Sequence, residues 1–168
     1  MRKIISIVII SSSIILVSYL IMRIYVTTQQ RRVVEKGIVT LPIFKFVSMN
    51  GNPYNHQSLP EENGNIIFNF FSPNCEHCQY MATQYIKNQQ KLKNATILMI
   101  TTADSISTTK FYKDYQLNRL PNIVMLRDPQ YKFYKIFGTG VVPSFFLYKD
   151  KVLVKKIIGE TKIDNLLN

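Results

Sequence analysis

Asn65 to Met81 reads NIIFNFFSPNCEHCQYM, and it holds both cysteines of the 168-residue chain, Cys75 and Cys78. Asn65 to Phe71 is a short, nearly continuous apolar run, the pattern of a strand buried on both faces. Pro73 and Asn74 mark a turn, and no Gly or Pro interrupts the chain from Cys75 to about Lys93. Cys78, Met81, Tyr85 and Leu92 then fall on one helical stripe. The expected order is strand, turn, helix, with Cys75 opening the helix and Asn74 as its N-cap. A thiol in a first helical turn meets the positive end of the macrodipole and unpaired N–H groups, and both favour its thiolate. Cys78, one turn later and facing inward, is placed to attack a disulfide formed at Cys75.

Reading outward, LPIFKFVSMNGNPY alternates around Phe44 and Phe46 and then meets a turn signal at Asn50-Gly51. ATILMIT is a second buried strand, and SISTTKFYKDYQ reads as a helix capped by Ser105 or Ser107. NIVMLR is a short strand and PQYKFYKIF one or two helical turns. SFFLY and VLVKKII flank a tight polar turn, hence an antiparallel hairpin. A short helix, roughly Thr161 to Leu167, closes the chain. Strands separated by helices imply an α/β fold: parallel pairing in a sheet covered on both faces, with antiparallel strands at one edge.

The chain opens with MRKIISIVIISSSIILVSYLIMRIY, in which Ile4 to Met22 is 19 residues without a charge. At about 1.5 Å per residue this is roughly 28 Å of helix, enough for a bilayer core of about 30 Å. Serines 11 to 13 can bond back to the helix. Val26 to Thr28 match a signal-peptidase site poorly, which favours an uncleaved anchor. The expected organisation is an anchor over 1–25, a polar linker over 26–37 and one domain over 38–168. Lys and Arg flank the apolar run on both sides, so charge alone leaves its orientation open. The net charge of +11 divides into +5 up to Gly37 (six basic, one acidic) and +6 beyond (fifteen basic, nine acidic). The lysines are scattered with no basic run interleaved with aromatics, so nucleic acid is not an expected partner.

A C-x-x-C pair can exchange disulfides, hold half a metal site or act as a staple. The metal reading wants two further ligands, and the chain offers only His56 and His77, the latter between the cysteines. A staple across so short a loop removes little chain entropy. Strand, turn and C-x-x-C at a helix start favour redox exchange.

On these residues, with FGTGVVPSFFLYKDKVLVKKIIGE, the chain resembles the thioredoxin-like superfamily. With its apolar N-terminus it is most similar to the membrane-anchored TlpA/ResA-type thiol–disulfide oxidoreductases of bacterial envelopes. The resemblance covers about Leu41 to Gly159. It implies a thioredoxin fold, a central mixed sheet with helices on both faces, preceded by one transmembrane helix. It also implies a domain facing the periplasm or cell exterior, and disulfide exchange, most simply as a reductase, with Cys75 attacking and Cys78 resolving. Pro143 matches the family's cis-proline, and the backbone of Val142 would then pair with an extended substrate. No organic cofactor is implied, because electrons pass through the cysteines themselves. The implied partners are protein or peptide dithiols and disulfides and a membrane redox donor or acceptor, served by a monomer.

The sequence departs from the family pattern in two places. The buried carboxylate that often serves the second cysteine is Asn69 at one family position and Met81 at the other. Cys78 must then lose its proton to water or Glu76, which predicts slow resolution. His77, when protonated, favours the thiolate and an oxidising pair, and Glu76 does the reverse. Two other functions stay open: a peroxiredoxin-like peroxidase, with Ser72 where a threonine is wanted, and a thiol metallochaperone or docking module.

Overall fold

The computed structural model describes residues 2–60 and 64–167, with side chains described for 12–30, 32–60 and 64–167. Two compact units divide between Lys36 and Gly37. The first is taken up by one helix, α1 (Arg2–Gly37), whose final residue already belongs to the second unit. Thr27 and Thr28 donate back to the Arg23 and Ile24 carbonyls at 2.8 Å, so the polar stretch read as a linker continues the helix. Among the described residues no helix is long and apolar enough to cross a membrane. The first part of the Ile4–Met22 run, residues 4–11, lies outside the described side chains.

The second unit contains β1 (Lys45–Ser48), β2 (Pro53–Asn55), β3 (Asn65–Phe70), α2 (Glu76–Lys87), α3 (Gln89–Leu92), β4 (Ala95–Thr101) and α4 (Ser105–Asp114). It continues with β5 (Ile123–Arg127), α5 (Lys132–Phe137), β6 (Ser144–Lys149), β7 (Val152–Ile158) and α6 (Ile163–Leu167). The seven strands lie in the order β2-β1-β5-β4-β3-β6-β7. β3, β4 and β5 are parallel neighbours, as their apolar runs require of strands buried on both faces. β6 and β7 run antiparallel at one side. The other side differs from the expectation: β1 pairs antiparallel with β5 and β2 with β1. The Asn50-Gly51 turn, with Gly51 at φ 83°, folds that segment into a hairpin that occupies the remaining edge.

Side-chain alternation sorts the aromatics onto two faces. Ile67, Phe145 and Leu147 join Cys78, Met81 and Tyr85 of α2 in one buried cluster. Phe68, Phe70, Phe146 and Tyr148 join Phe44 and Phe46 and the α5 residues Phe133 and Phe137 in the other. Phe133 is the hub of this second face: its ring stacks on Phe70 at 4.5 Å and Phe137 at 4.4 Å between centroids. The buried Asp128 caps the start of this helix, accepting from the Phe133 N–H at 2.7 Å.

Three local expectations shift. The helix read from Cys75 to about Lys93 breaks at Asn88, whose Nδ2 donates to the Gln84 carbonyl at 2.9 Å; a side chain that competes for helix carbonyls ends a helix without Gly or Pro. The cap of α4 is Asp104, accepting from the Ser107 N–H at 2.9 Å, one residue before Ser105. The cap position of α2 is Cys75 itself, with no side-chain capping bond, and Asn74 lies outside it.

Replacing Phe133 by Ala should cost about 3–5 kcal/mol, the usual range for a buried phenylalanine. Ile106→Ala, at a residue 83% exposed, should stay within about 0.5 kcal/mol. Urea unfolding of both variants checks the placement, and equal losses would contradict it.

Candidate active site

Three elements converge on the thiols. β3 ends at Phe70, and the turn that follows is closed by the Cys75 N–H donating to the Ser72 carbonyl at 3.2 Å and by Gln79 Nε2 donating to the Pro73 carbonyl at 2.9 Å. This delivers Cys75 to the N-terminus of α2. β6 runs antiparallel to β3 with Ser144 opposite Phe70, so the residues just before β6 meet the residues just after β3. There the Val142–Pro143 peptide bond is cis, and the Cys75 Sγ lies 3.8 Å from the Val142 carbonyl oxygen. The structure thus brings together Cys75, Cys78, Val142 and Pro143.

Both thiols are free, Cys75 half-buried and Cys78 buried. Burial pushes the Cys78 thiol up to about 12; a backbone hydrogen bond from Ser72 opposes this, and the hydrogen bond and charge of Cys75 add to it. Cys75 occupies the cap position of α2, at the positive end of the helix dipole, and its side chain makes no capping bond to the first turn. Of the two sulfurs, the buried one at Cys78 therefore sits in surroundings that resist negative charge.

Beneath them the floor is polar and neutral. Asn69 is 1% exposed; its Nδ2 donates to the carbonyls of Phe70 at 3.3 Å and Ser144 at 3.4 Å. Its Oδ1 accepts from the Tyr85 hydroxyl at 3.0 Å. Burial raises the Tyr85 phenol far above its ordinary range, and the charge of a Cys78 thiolate raises it further. Tyr85 was visible in the sequence only as a member of the apolar stripe; its position seven residues after Cys78 puts both on one helical face, and its buried hydroxyl needs the partner that Asn69 supplies. Met81, at the second family position for a carboxylate, is buried in the core.

The two residues between the cysteines do not act alike. Glu76 is exposed. His77 is exposed too, but its Nδ1 lies 2.7 Å from Oε2 of Glu160, a residue that sequence reading did not single out because it stands 83 positions away. His56 sits against the Phe44 ring at 5.0 Å. Among the described residues, no three or more His, Cys, Asp or Glu side chains gather as a metal site would require.

A family model described as thioredoxin matches residues 46–140, more than half of the chain and including both cysteines. No curated protein matches by sequence. Among solved structures the chain is similar to a secreted Mycobacterium tuberculosis disulfide oxidoreductase homologous to Escherichia coli DsbE, at 20% identity and a TM-score of 0.61, over 74% of this chain and 91% of that one. It is similar to peroxidoxin BcpB of M. tuberculosis, at 19% identity and a TM-score of 0.63, over 76% and 91%. StoA of Bacillus subtilis matches at 16% identity and a TM-score of 0.55, over 77% and 96%. At these identities the likeness is one of fold.

The raised Cys78 thiol has a measurable consequence for stability. An ordinary thiol ionises near pH 8.5, so above that pH the unfolded chain has released a proton that the folded, reduced chain keeps until about 12. The stability of the reduced form then falls as pH rises through this window, by up to about 1.4 kcal/mol per unit. The disulfide form has no such proton. The reduced-minus-oxidised difference in Tm should therefore move against the reduced form between about pH 8 and about pH 10; a constant difference would refute the burial of an un-ionised Cys78.

Proposed function

The chain belongs to the thioredoxin family and is a thiol–disulfide oxidoreductase, and from that premise we propose that it reduces protein or peptide disulfides outside the cytoplasmic membrane, anchored by Ile4–Met22. The observation that carries the exchange reading is the pairing of a half-buried Cys75, at an uncapped helix N-terminus and facing the Val142 carbonyl, with a buried Cys78 one turn behind it. The uncharged run of 19 residues supports the anchor.

The Cys75 thiolate attacks one sulfur of the substrate disulfide, and the other sulfur leaves as a thiolate and takes up a proton. Val142, in the bend just before β6, offers backbone groups to the substrate strand. Cys78 then gives up its proton, attacks the Cys75 sulfur and releases the second substrate thiol. The substrate gains two electrons and the pair closes to a disulfide, which a membrane redox donor reopens. A buried thiol that resists ionisation favours the reducing direction, since a pair becomes an oxidant when its reduced form is stabilised as thiolate. Ser72 and the likeness to a peroxidoxin structure keep a thiol peroxidase as the second reading, and peroxide consumption separates the two.

With Cys78→Ser the full-length protein should accumulate a mixed disulfide at Cys75. The wild-type potential against glutathione should lie near or below about −230 mV, whereas a value near −120 mV would make it an oxidant. Because Asn69 and Tyr85 offer Cys78 no carboxylate, the rate of its attack on the mixed disulfide should climb about tenfold per pH unit from about pH 6 to about pH 9, without a plateau. Asn69→Asp should speed that step at neutral pH and introduce an inflection. A plateau in the wild type would mean that another group takes the Cys78 proton.

A further inference from the structure

We propose that Glu160 is a positioning residue for His77, drawing the imidazole toward the segment after β7 and withholding its charge from the Cys75 sulfur. The inference rests on the exchange reading above and concerns how that site is tuned.

Glu160 reaches His77 because its backbone is fixed beside the site. The Gly159 N–H donates to the Pro143 carbonyl at 2.8 Å, and Gly159 turns there at φ 98°, a conformation that glycine adopts without strain. The next residue therefore departs from the cis-proline side of the site, and its carboxylate meets Nδ1 of His77 at 2.7 Å on the first turn of α2. The contact links the two walls between which Cys75 lies.

As a source of stability an exposed ion pair counts for little, and His77 and Glu160 are 70% and 39% exposed at their side chains. Its consequence is local. A carboxylate only accepts, so Nδ1 carries the bonded proton in either state of the ring, and a second proton at Nε2 makes it a cation. The titratable groups on its own turn are Cys75, Glu76 and the buried Cys78, and Glu160 meets it from the segment after β7. An imidazolium beside Cys75 would stabilise the thiolate and make the pair more oxidising. Held on Glu160, that charge is balanced by an anion 2.7 Å from Nδ1, while the polar contact of the sulfur is the Val142 carbonyl. Glu160 thereby keeps the pair reducing when His77 is protonated, and has no such effect when the ring is neutral.

The test is the equilibrium constant of Cys75–Cys78 with glutathione in the full-length wild type, Glu160→Gln, His77→Ala and the double variant. Each is measured at about pH 6 and about pH 8.5, on either side of the range in which histidines titrate. At the lower pH, Glu160→Gln should make the pair about threefold more oxidising, some 14 mV at 29.6 mV per decade. The change should vanish at the higher pH and in the His77→Ala background. No change at the lower pH overturns the inference, and so does an equal change without His77, since Glu160 would then act on the sulfur by itself. If the wild type fails to equilibrate with glutathione at all, the exchange reading falls and this inference with it.

Discussion

The site depends on one register. Ser144 of β6 stands opposite Phe70 of β3, and each is the strand residue nearest the site: β3 leads out into the cysteine turn and β6 is led into by Val142–Pro143. Because the two strands are antiparallel, the segment after one and the segment before the other lie at the same end of the sheet. A slip of one residue in β6 would carry Phe145 and Phe146 each to the opposite face. The aromatic sorting of the two clusters forbids this, since Phe68 and Phe146 are built into one side and Ile67 and Phe145 into the other. Core packing and site assembly are thus set by the same alternation.

Asn69 connects the register to the chemistry. Its amide donates to the Ser144 carbonyl across the strand pair and its oxygen accepts from Tyr85 on α2, so one side chain ties β3, β6 and the cysteine helix together. A buried carboxylate at this place would bring a charge that burial penalises, whereas an amide and a phenol satisfy one another while neutral. The arrangement favours a well-made floor over rapid proton removal. It leaves Cys78, which has to ionise, in the surroundings least suited to ionisation.

Much of this was legible in the sequence, and the parts that were not share a cause. Apolar runs identified β3, β4 and β5, because burial on both faces writes itself into consecutive residues, and the β6–β7 hairpin was marked by two apolar runs around a tight polar turn. The cysteine turn was legible as a local motif, and Pro143 through the family resemblance. The position of the first hairpin was not, because β1 meets β5 through only two residue pairs, Val47 with Arg127 and Ser48 with Leu126. The break at Asn88 and the cap at Asp104 turned on single side-chain hydrogen bonds that periodicity does not register. Glu160 was invisible for a plainer reason: its partner is 83 residues away, and an exposed acid near a chain end carries no pattern. Contacts between distant polar side chains follow from the fold and do not announce it.

The start of α2 shows how local stability and function pull apart. A side-chain cap typically contributes about 1 kcal/mol to a helix, and Asn74 is of the right type and one residue away. The chain instead places Cys75 at the cap position, with extended backbone at φ −97° and ψ 117° and no capping bond. The turn is held by other means, through Gln79 Nε2 on the Pro73 carbonyl and the Cys75 N–H on the Ser72 carbonyl. Those bonds fix the backbone without using the N–H groups of the first turn. A capping asparagine would have stabilised the helix and occupied the donors that a thiolate at this position needs. The missing cap therefore reads as a feature of the site: the helix gives up a stabilising contact, and the cap position is left to the thiol that faces the Val142 carbonyl.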